Sequence, residues 1–579
     1  TPELVRATHG VLLEMVRQDT VRAAGLVAGE SRRPYVWEVR HAGLLGIKYE
    51  VAMRVDVLGS ADGAQMLSDV MDVALLGLRD DDDDVRAVSA ATLLPITGHM
   101  AERLDRVPAL LEQLWACIGD ARDDLSSSAG GVMDLLAALI SQPAIAAQLH
   151  VRGDGALATL LPRLFRFFRH TITSVRLAVL NAMQAFLGAP ALPCDWVDDR
   201  LVRLLFQNML VEERLPIREA TARVWTLVLA ELAAHPARMA ACAVHVPTLF
   251  RLVMTPIGTP IDTRLFFDAG AKTEHDIDRS ILSQDLLLVG VDTVIRGRLG
   301  AASALGEIIA RSDAVDAPCE LLDGYLGSAS AMQKCLAAVV AQRWAELLPD
   351  PASFLATHAR VADVHARLLR LLDAEPVAYA ELGVLLQRLQ HDCQALLSLC
   401  VRDAGVDKAA LPPVPQPCTL EAARELCGST CDRLVPVDAP RSVADQRAKI
   451  VASIERYEST KEMEDVLVLA AVATAVVAWA VLPEKLNPVI RSMMNSVKYE
   501  ENADLQARSA AAIARFMALC LRPGARANPT GKIVKNLCAF ACQDTSHTAL
   551  YAERKHVRAG ILSRALDEPK KPRRGVPDE

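Results

Sequence analysis

The stretch YVWEVRHAGLLGIKYEVAM, Tyr35 to Met53, reads as one helix and states a theme that later segments repeat. A small aliphatic residue, Val39, precedes Arg40. A small residue, Ala42, follows two places on, and Leu44, Leu45 and Ile47 supply one apolar face. The same beat returns at Val85-Arg86-x-Val88, Val175-Arg176-x-Ala178, Ile217-Arg218-x-Ala220 and Ala507-Arg508-x-Ala510, with a weaker copy at Arg298-x-Gly300. From Arg40 to Arg86 is 46 residues, from Arg86 to Arg176 is 90 (two steps of 45), from Arg176 to Arg218 is 42, and from Arg218 to Arg298 is 80 (two steps of 40). Helix-pair repeats recur every ~40–47 residues, because a single pair cannot bury its apolar face and neighbours must stack. The expected fold is therefore all-α, a HEAT/armadillo-type α-solenoid of stacked helix pairs. The copy missing between Arg86 and Arg176 is expected near Leu125–Leu136, where serine replaces the arginine. The repeated arginines are expected to bond aspartates or carbonyls at the turns.

Composition agrees. The chain has 579 residues, 51% of them hydrophobic but only 4% aromatic, so alanine and leucine carry the core and close-packed helices are favoured over sandwiches. The net charge of -8 argues against a broad basic surface for nucleic acid and leaves room for a local basic stripe. Thirteen cysteines with no disulfide-framework spacing read as reduced core thiols of the cytosol or nucleus. The chain begins with Thr1, already in a helical pattern, and is expected to be a piece of a longer protein. Val466 to Leu482 has Thr474 as its only polar member, yet it is shorter than the ~20 residues a spanning helix needs. It reads as a buried helix, and no membrane partner is expected.

In chain order, residues 1–253 are expected to form the repeat array, opening with a helix pair over 1–29. Residues 254–280 form an irregular insertion around Met254–Asp262, whose two prolines and one glycine exclude helix. A helical array continues over 281–403, a linker or surface excursion covers 404–417, helices return over 418–560, and 561–579 is a charged tail without fixed structure. The run Asp80, Asp81, Asp82, Asp83, Asp84 stands where the Val85-Arg86 helix begins, so its carboxylates are placed to cap free N–H groups and meet the positive end of the dipole.

No enzymatic chemistry is read in this chain. The nearest phosphate-loop match, Pro529-Thr530-Gly531-Lys532-Ile533, puts isoleucine where a magnesium-binding hydroxyl belongs. Cys427 and Cys431, and Cys538 and Cys542, are four apart, a spacing that suits a helix face better than a zinc site; His391 and Cys393 add no recognisable pattern. No Gly-x-Ser-x-Gly occurs, and His41 reads as a structural hydrogen-bonding group. No catalytic, cofactor or metal residue is expected. Partner contact is expected at the acidic run Asp80–Asp84 and at Leu125, Ser126, Ser127 and Ser128, as polar loop tips facing a basic protein.

WEVRHAGLLGIKYEV (37–51) resembles a signature of the TATA-binding-protein-associated Swi/Snf-type ATPases, the modifier-of-transcription family, which typically has glycine where this chain has Ala42. DDDDVRAVSAATLLP (81–95), DDLSSSAGGVMDLLA (123–137), TPIGTPIDTRLFF (255–267), LLLVGVDTVIRGRLGAASALG (286–306), NSVKYEENADLQARSAAAIARF (495–516) and GKIVKNLCAFACQDT (531–545) continue the resemblance in order, with 311–460 the least diagnostic part. The resemblance implies a HEAT-repeat horseshoe that grips TATA-binding protein. It also implies a C-terminal ATPase that uses ATP and magnesium to pull that protein off promoter DNA in the nucleus. None of the helicase motifs lie in these residues, and no segment reads as the family's inhibitory latch. Two roles are implied: a non-catalytic scaffold for TATA-binding protein, touching promoter DNA only through the complex, or an intramolecular regulator packed on the parent's own ATPase domain. A nuclear-transport carrier would fit the repeats but not these segments.

Overall fold

The computed structural model describes residues 2–25, 36–54, 63–121, 128–151, 157–257, 259–268, 279–284, 286–373, 380–416, 418–436, 439–500, 502–525 and 527–541. Among them there is no strand. The chain divides into two compact units, Thr1–Pro318 and Cys319–Glu579.

The first unit is built of helix pairs. They are α1 (Pro2–Gly25) with α2 (Val36–Met53), α3 (Gly63–Leu78) with α4 (Asp83–Leu93), and α5 (Val107–Asp120) with α6 (Ser128–Ile140). A 3₁₀ stretch, Leu161–Arg169, pairs with α7 (Thr173–Leu187), α8 (Asp199–Val211) pairs with α9 (Leu215–Ala233), and α10 (Val291–Arg311) packs on α8. The second helices stack in order, α2 on α4 on α6 on α7 on α9. The first members stack likewise, α1 on α3 on α5 on the 3₁₀ stretch on α8. This stacking is the α-solenoid arrangement that the period predicts. Residues 2–25 form one helix rather than a pair: Gly10, the only break signal, faces open space and is tolerated within a helix.

The beat is a packing device in three copies. Val85, Val175 and Ile217, one place before the arginine, are buried, as are Val88, Ala178 and Ala220, two places after it. The three-residue spacing puts both on the helix face that meets the neighbouring repeats. On α2 the buried pair is Leu44 and Ile47, while Val39 is 43% exposed. Ala507 and Ala510 are exposed, and the helix that holds them buries Leu505, Ser509 and Ala512 instead.

The 3₁₀ stretch LPRLFRFFR has its own period of three. Leu161, Leu164 and Phe167, with Phe165 and Phe168, are buried, and Arg163, Arg166 and Arg169 recur at the same interval. Three residues per turn stack such positions one above another. The turn after Met254 is held by Gln284, whose amide donates to Pro256 O and Thr259 O, while Ile261 N–H donates to Leu282 O at 2.8 Å.

The second unit has a different plan. A 38-residue helix, α14 (Arg441–Ala478), is its axis. Around it lie α11 (Ala331–Leu347), α12 (Ala359–Asp373), α13 (Ala380–Arg402), α15 (Asn487–Tyr499) and α16 (Ala503–Cys520). A final helix, α17, runs over Thr530–Ala541. The apolar half of α14 is buried all round, and Thr474 Oγ1 donates to Ala471 O at 2.8 Å and reaches Gln342 Oε1 at 3.3 Å. No single helix among the described residues is long and apolar enough to cross a membrane. Cys393, Cys400, Cys418, Cys427 and Cys431 share one apolar core with Val406, and Leu411 and Val414 of the 404–417 segment pack against it. Burial pushes the Cys393 and Cys431 thiols up to about 12 and that of Cys427 to about 11, so they serve as small apolar groups.

Gly297 tests the close packing of α10 on α8. A Cβ there would lie 2.5 Å from Leu210 O, whereas at Gly300 it would meet nothing within 4 Å. Gly297→Ala is expected to lower stability by about 1–3 kcal/mol, since backbone must move. Gly300→Ala should be neutral or stabilising by up to ~1 kcal/mol through helix propensity. Urea unfolding of both variants checks the contrast.

Candidate interaction surface

A helix pair leaves carbonyls at the end of its first helix and N–H groups at the start of its second without helical partners. In the turn before α4 the five aspartates divide this work. Asp82 is the N-cap; its Oδ1 accepts from Asp84 N–H at 3.0 Å and Val85 N–H at 3.2 Å. Asp80 accepts from Arg40 of the preceding repeat, Nε at 2.5 Å and Nη2 at 3.1 Å, and from Asp82 N–H at 3.0 Å. Asp83 accepts from Arg86 Nη2 at 3.1 Å and from the Ser128 N–H of the following repeat at 3.2 Å. Arg86 Nη1 donates to Asp80 O at 2.7 Å and Asp81 O at 2.9 Å. Three carboxylates are thus committed to the fold. Asp81 and Asp84 are exposed and available to a partner. Ser128 is buried at the start of α6; Leu125, Ser126 and Ser127 lie outside the described residues.

The same grip recurs. Arg176 Nη1 donates to His170 O at 2.8 Å and Thr171 O at 3.2 Å, and its Nε and Nη2 donate to the Glu212 carboxylate of the next repeat at 2.9 and 3.3 Å. Side-chain exposure is only 9% for Arg176 and 4% for Glu212, so this pair is shielded from water. Arg169 lies beside Glu212 and Arg176, and burial brings its guanidinium down to about 10. Arg298 Nη1 donates to Leu252 O and Val253 O at the end of a helix, and burial lowers it to about 10. Arg218 and Arg508 are also engaged; burial lowers Arg508, against the opposing pull of Glu346 and Asp504. His41 packs edge-on to Trp37, with ring centroids 6.2 Å apart.

Sequence reading missed Glu212, because the adjacent glutamates Glu212 and Glu213 in VEERLP carry no periodic signal. It also missed a cleft of about 420 Å³ lined by Trp115, Asp120, Arg163 and Arg166, although the three-residue arginine spacing could have signalled it. Arg166 donates to Ile118 O and Gly119 O, closing the end of α5. Among the described residues no three metal-ligating side chains converge.

Removing one partner of a shielded ion pair leaves the other without compensation. Arg176→Met is therefore expected to cost about 3–5 kcal/mol. Asp81→Asn, at an exposed carboxylate, should stay within about 0.5 kcal/mol. Denaturant midpoints of the two variants test the division between structural and available charges.

A family profile described as a domain of unknown function, DUF3535, matches residues 224–575. A TATA-binding protein-associated factor mot1 from Aspergillus fumigatus is 31% identical over 94% of this chain and 32% of its own length. TATA-binding protein-associated factor 172 from Homo sapiens is 28% identical over 94% of this chain and 30% of its own length. The chain spans about a third of the length of the curated relatives it matches. Among solved structures, the Mot1 N-terminal domain in complex with TBP aligns with 92% of this chain and 71% of its own, at 13% identity and a TM-score of 0.35. Kap121p bound to Pho4p aligns with 96% and 49%, at 14% identity and a TM-score of 0.39. With the profile covering more than half of its length, the chain belongs to the DUF3535-containing family.

Proposed function

We propose that this chain is a non-catalytic scaffold segment of an ATP-dependent transcription regulator, that it binds TATA-binding protein, and that it helps remove that protein from promoter DNA. The observation that carries the reading is similarity along nearly the whole chain to factors named for their association with TATA-binding protein. The turn geometry supports a binding role. Stacked helix pairs hold successive turns at fixed spacing, and the turn before α4 offers Asp81 and Asp84 to a basic surface while Asp80, Asp82 and Asp83 hold it in shape. Complementary charge of this kind steers encounter and fixes register. ATP and magnesium belong to the parent's motor, and the place of work is the nucleus.

The full chain is expected to retain TATA-binding protein in a pull-down titration. Asp81→Asn with Asp84→Asn should weaken binding roughly two- to tenfold, the value of two exposed charge pairs, and flatten its salt dependence. Failure of the unaltered chain to bind overturns the reading. Retention of a separately purified Swi/Snf-type motor in place of TATA-binding protein would replace it with an intramolecular regulatory role.

A further inference from the structure

The net charge of -8 conceals a local reversal: from Trp479 to Ala541 the sequence has nine lysine or arginine residues against four aspartate or glutamate residues, a net of +5. Lys485, Arg491, Lys498, Arg522, Lys532 and Lys535 are all exposed, and among the described residues none of the six pairs with a carboxylate.

Two stripes of this charge meet. On α15, Arg491, Asn495 and Lys498 are exposed at positions i, i+4 and i+7, one helical face. On α17, Lys532, Lys535 and Ala539 are exposed at i, i+3 and i+7, again one face. Lys498 joins them. Its ammonium lies 4.6 Å from the ring centroid of Tyr499, 5.5 Å from that of Phe540 on α17, and 2.7 Å from Tyr499 Oη. Of the carboxylates nearby in sequence, Glu500 accepts from Asn502 N–H at 3.0 Å, the charge of Asp504 favours the charged form of Arg508, and Glu484 is exposed beside Lys485.

We propose that α15 and α17 form a phosphate-binding surface that engages the backbone of duplex DNA. Unpaired cations in rows are the footprint of a polyanion. On these two faces the remaining positions are Asn495 and Ala539, not the large apolar anchors that centre a protein interface, and the exposed Val534 lies off the Lys532–Lys535 face by helical phase. Tyr499 and Phe540 are both engaged with the Lys498 ammonium, so they orient a cation instead of offering free faces on which a single strand would stack its bases. The surface does not depend on the proposed contact with TATA-binding protein, and either can fail alone.

Fluorescence anisotropy of the full chain with a labelled mixed-sequence duplex tests this. Binding should weaken with salt at a log–log slope of about -4, as roughly four or five phosphate contacts require. Lys498→Glu with Lys535→Glu should lose tenfold or more in affinity and reduce the slope by about 2. Lys408→Glu, an exposed cation outside the surface, should change neither. Circular dichroism melting reports whether the variants fold. If the double variant melts early, Arg491→Gln with Lys532→Gln must give the same change in slope, or the proposal falls. It is overturned by absence of duplex binding at low salt, by unchanged binding in the variants, or by an equal loss in Lys408→Glu. Tighter binding of a single strand or of polyglutamate also overturns it.

Discussion

A helix pair must satisfy the polar backbone exposed at its turn, and in the turns before α4 and α7 a guanidinium does this with one side chain. A planar group with five donors can take two carbonyls from its own turn and still reach a carboxylate in the next. Arg176 does both, closing on His170 O and Thr171 O and on Glu212. Arg40 reaches Asp80 across an earlier repeat boundary, and Asp83 accepts from the Ser128 N–H of the following repeat. Apolar stacking supplies most of the driving force for such an array, but it is non-directional. The charged turn contacts fix which turn faces which.

That constraint also shapes the candidate surface. A carboxylate spent on a cap or an ion pair is not free for a partner, so the acidic run is less available than its five charges suggest. Asp82 and Asp80 face inward to N–H groups and to Arg40, and Asp81 and Asp84 face water. The second unit solves the burial problem with one long helix instead of a ladder of turns, and its polar surface is organised by that helix's neighbours. Its core is thiol-rich: Cys393, Cys400, Cys418, Cys427 and Cys431 serve there as small apolar groups.

The period of the arginine beat was legible because helix pairs of nearly constant length return the same position to the same environment. So were the capping role of the aspartates at the start of α4 and the buried character of 466–478. The partner of Arg176 was not legible: Glu212 is set by which turn lies next in space. Nor was the single helix over 2–25, since a glycine facing open space breaks nothing. The copy at Arg508 kept its wording but not its packing, because Ala507 and Ala510 face solvent in a unit built round α14.

By itself the sequence determined an all-α chain of stacked helix pairs, their spacing, the residues that start them, and a family likeness carried by long ordered segments. These are properties of local periodicity and of contacts repeated at fixed intervals. Tertiary structure alone decided which charges are consumed and which are offered. It folded Asp80 onto Arg40 and Glu212 onto Arg176, and it laid Lys498 of α15 against Phe540 of α17. The physical reason is that a charge's availability depends on the neighbours that reach it through space, and a one-dimensional pattern does not contain those distances.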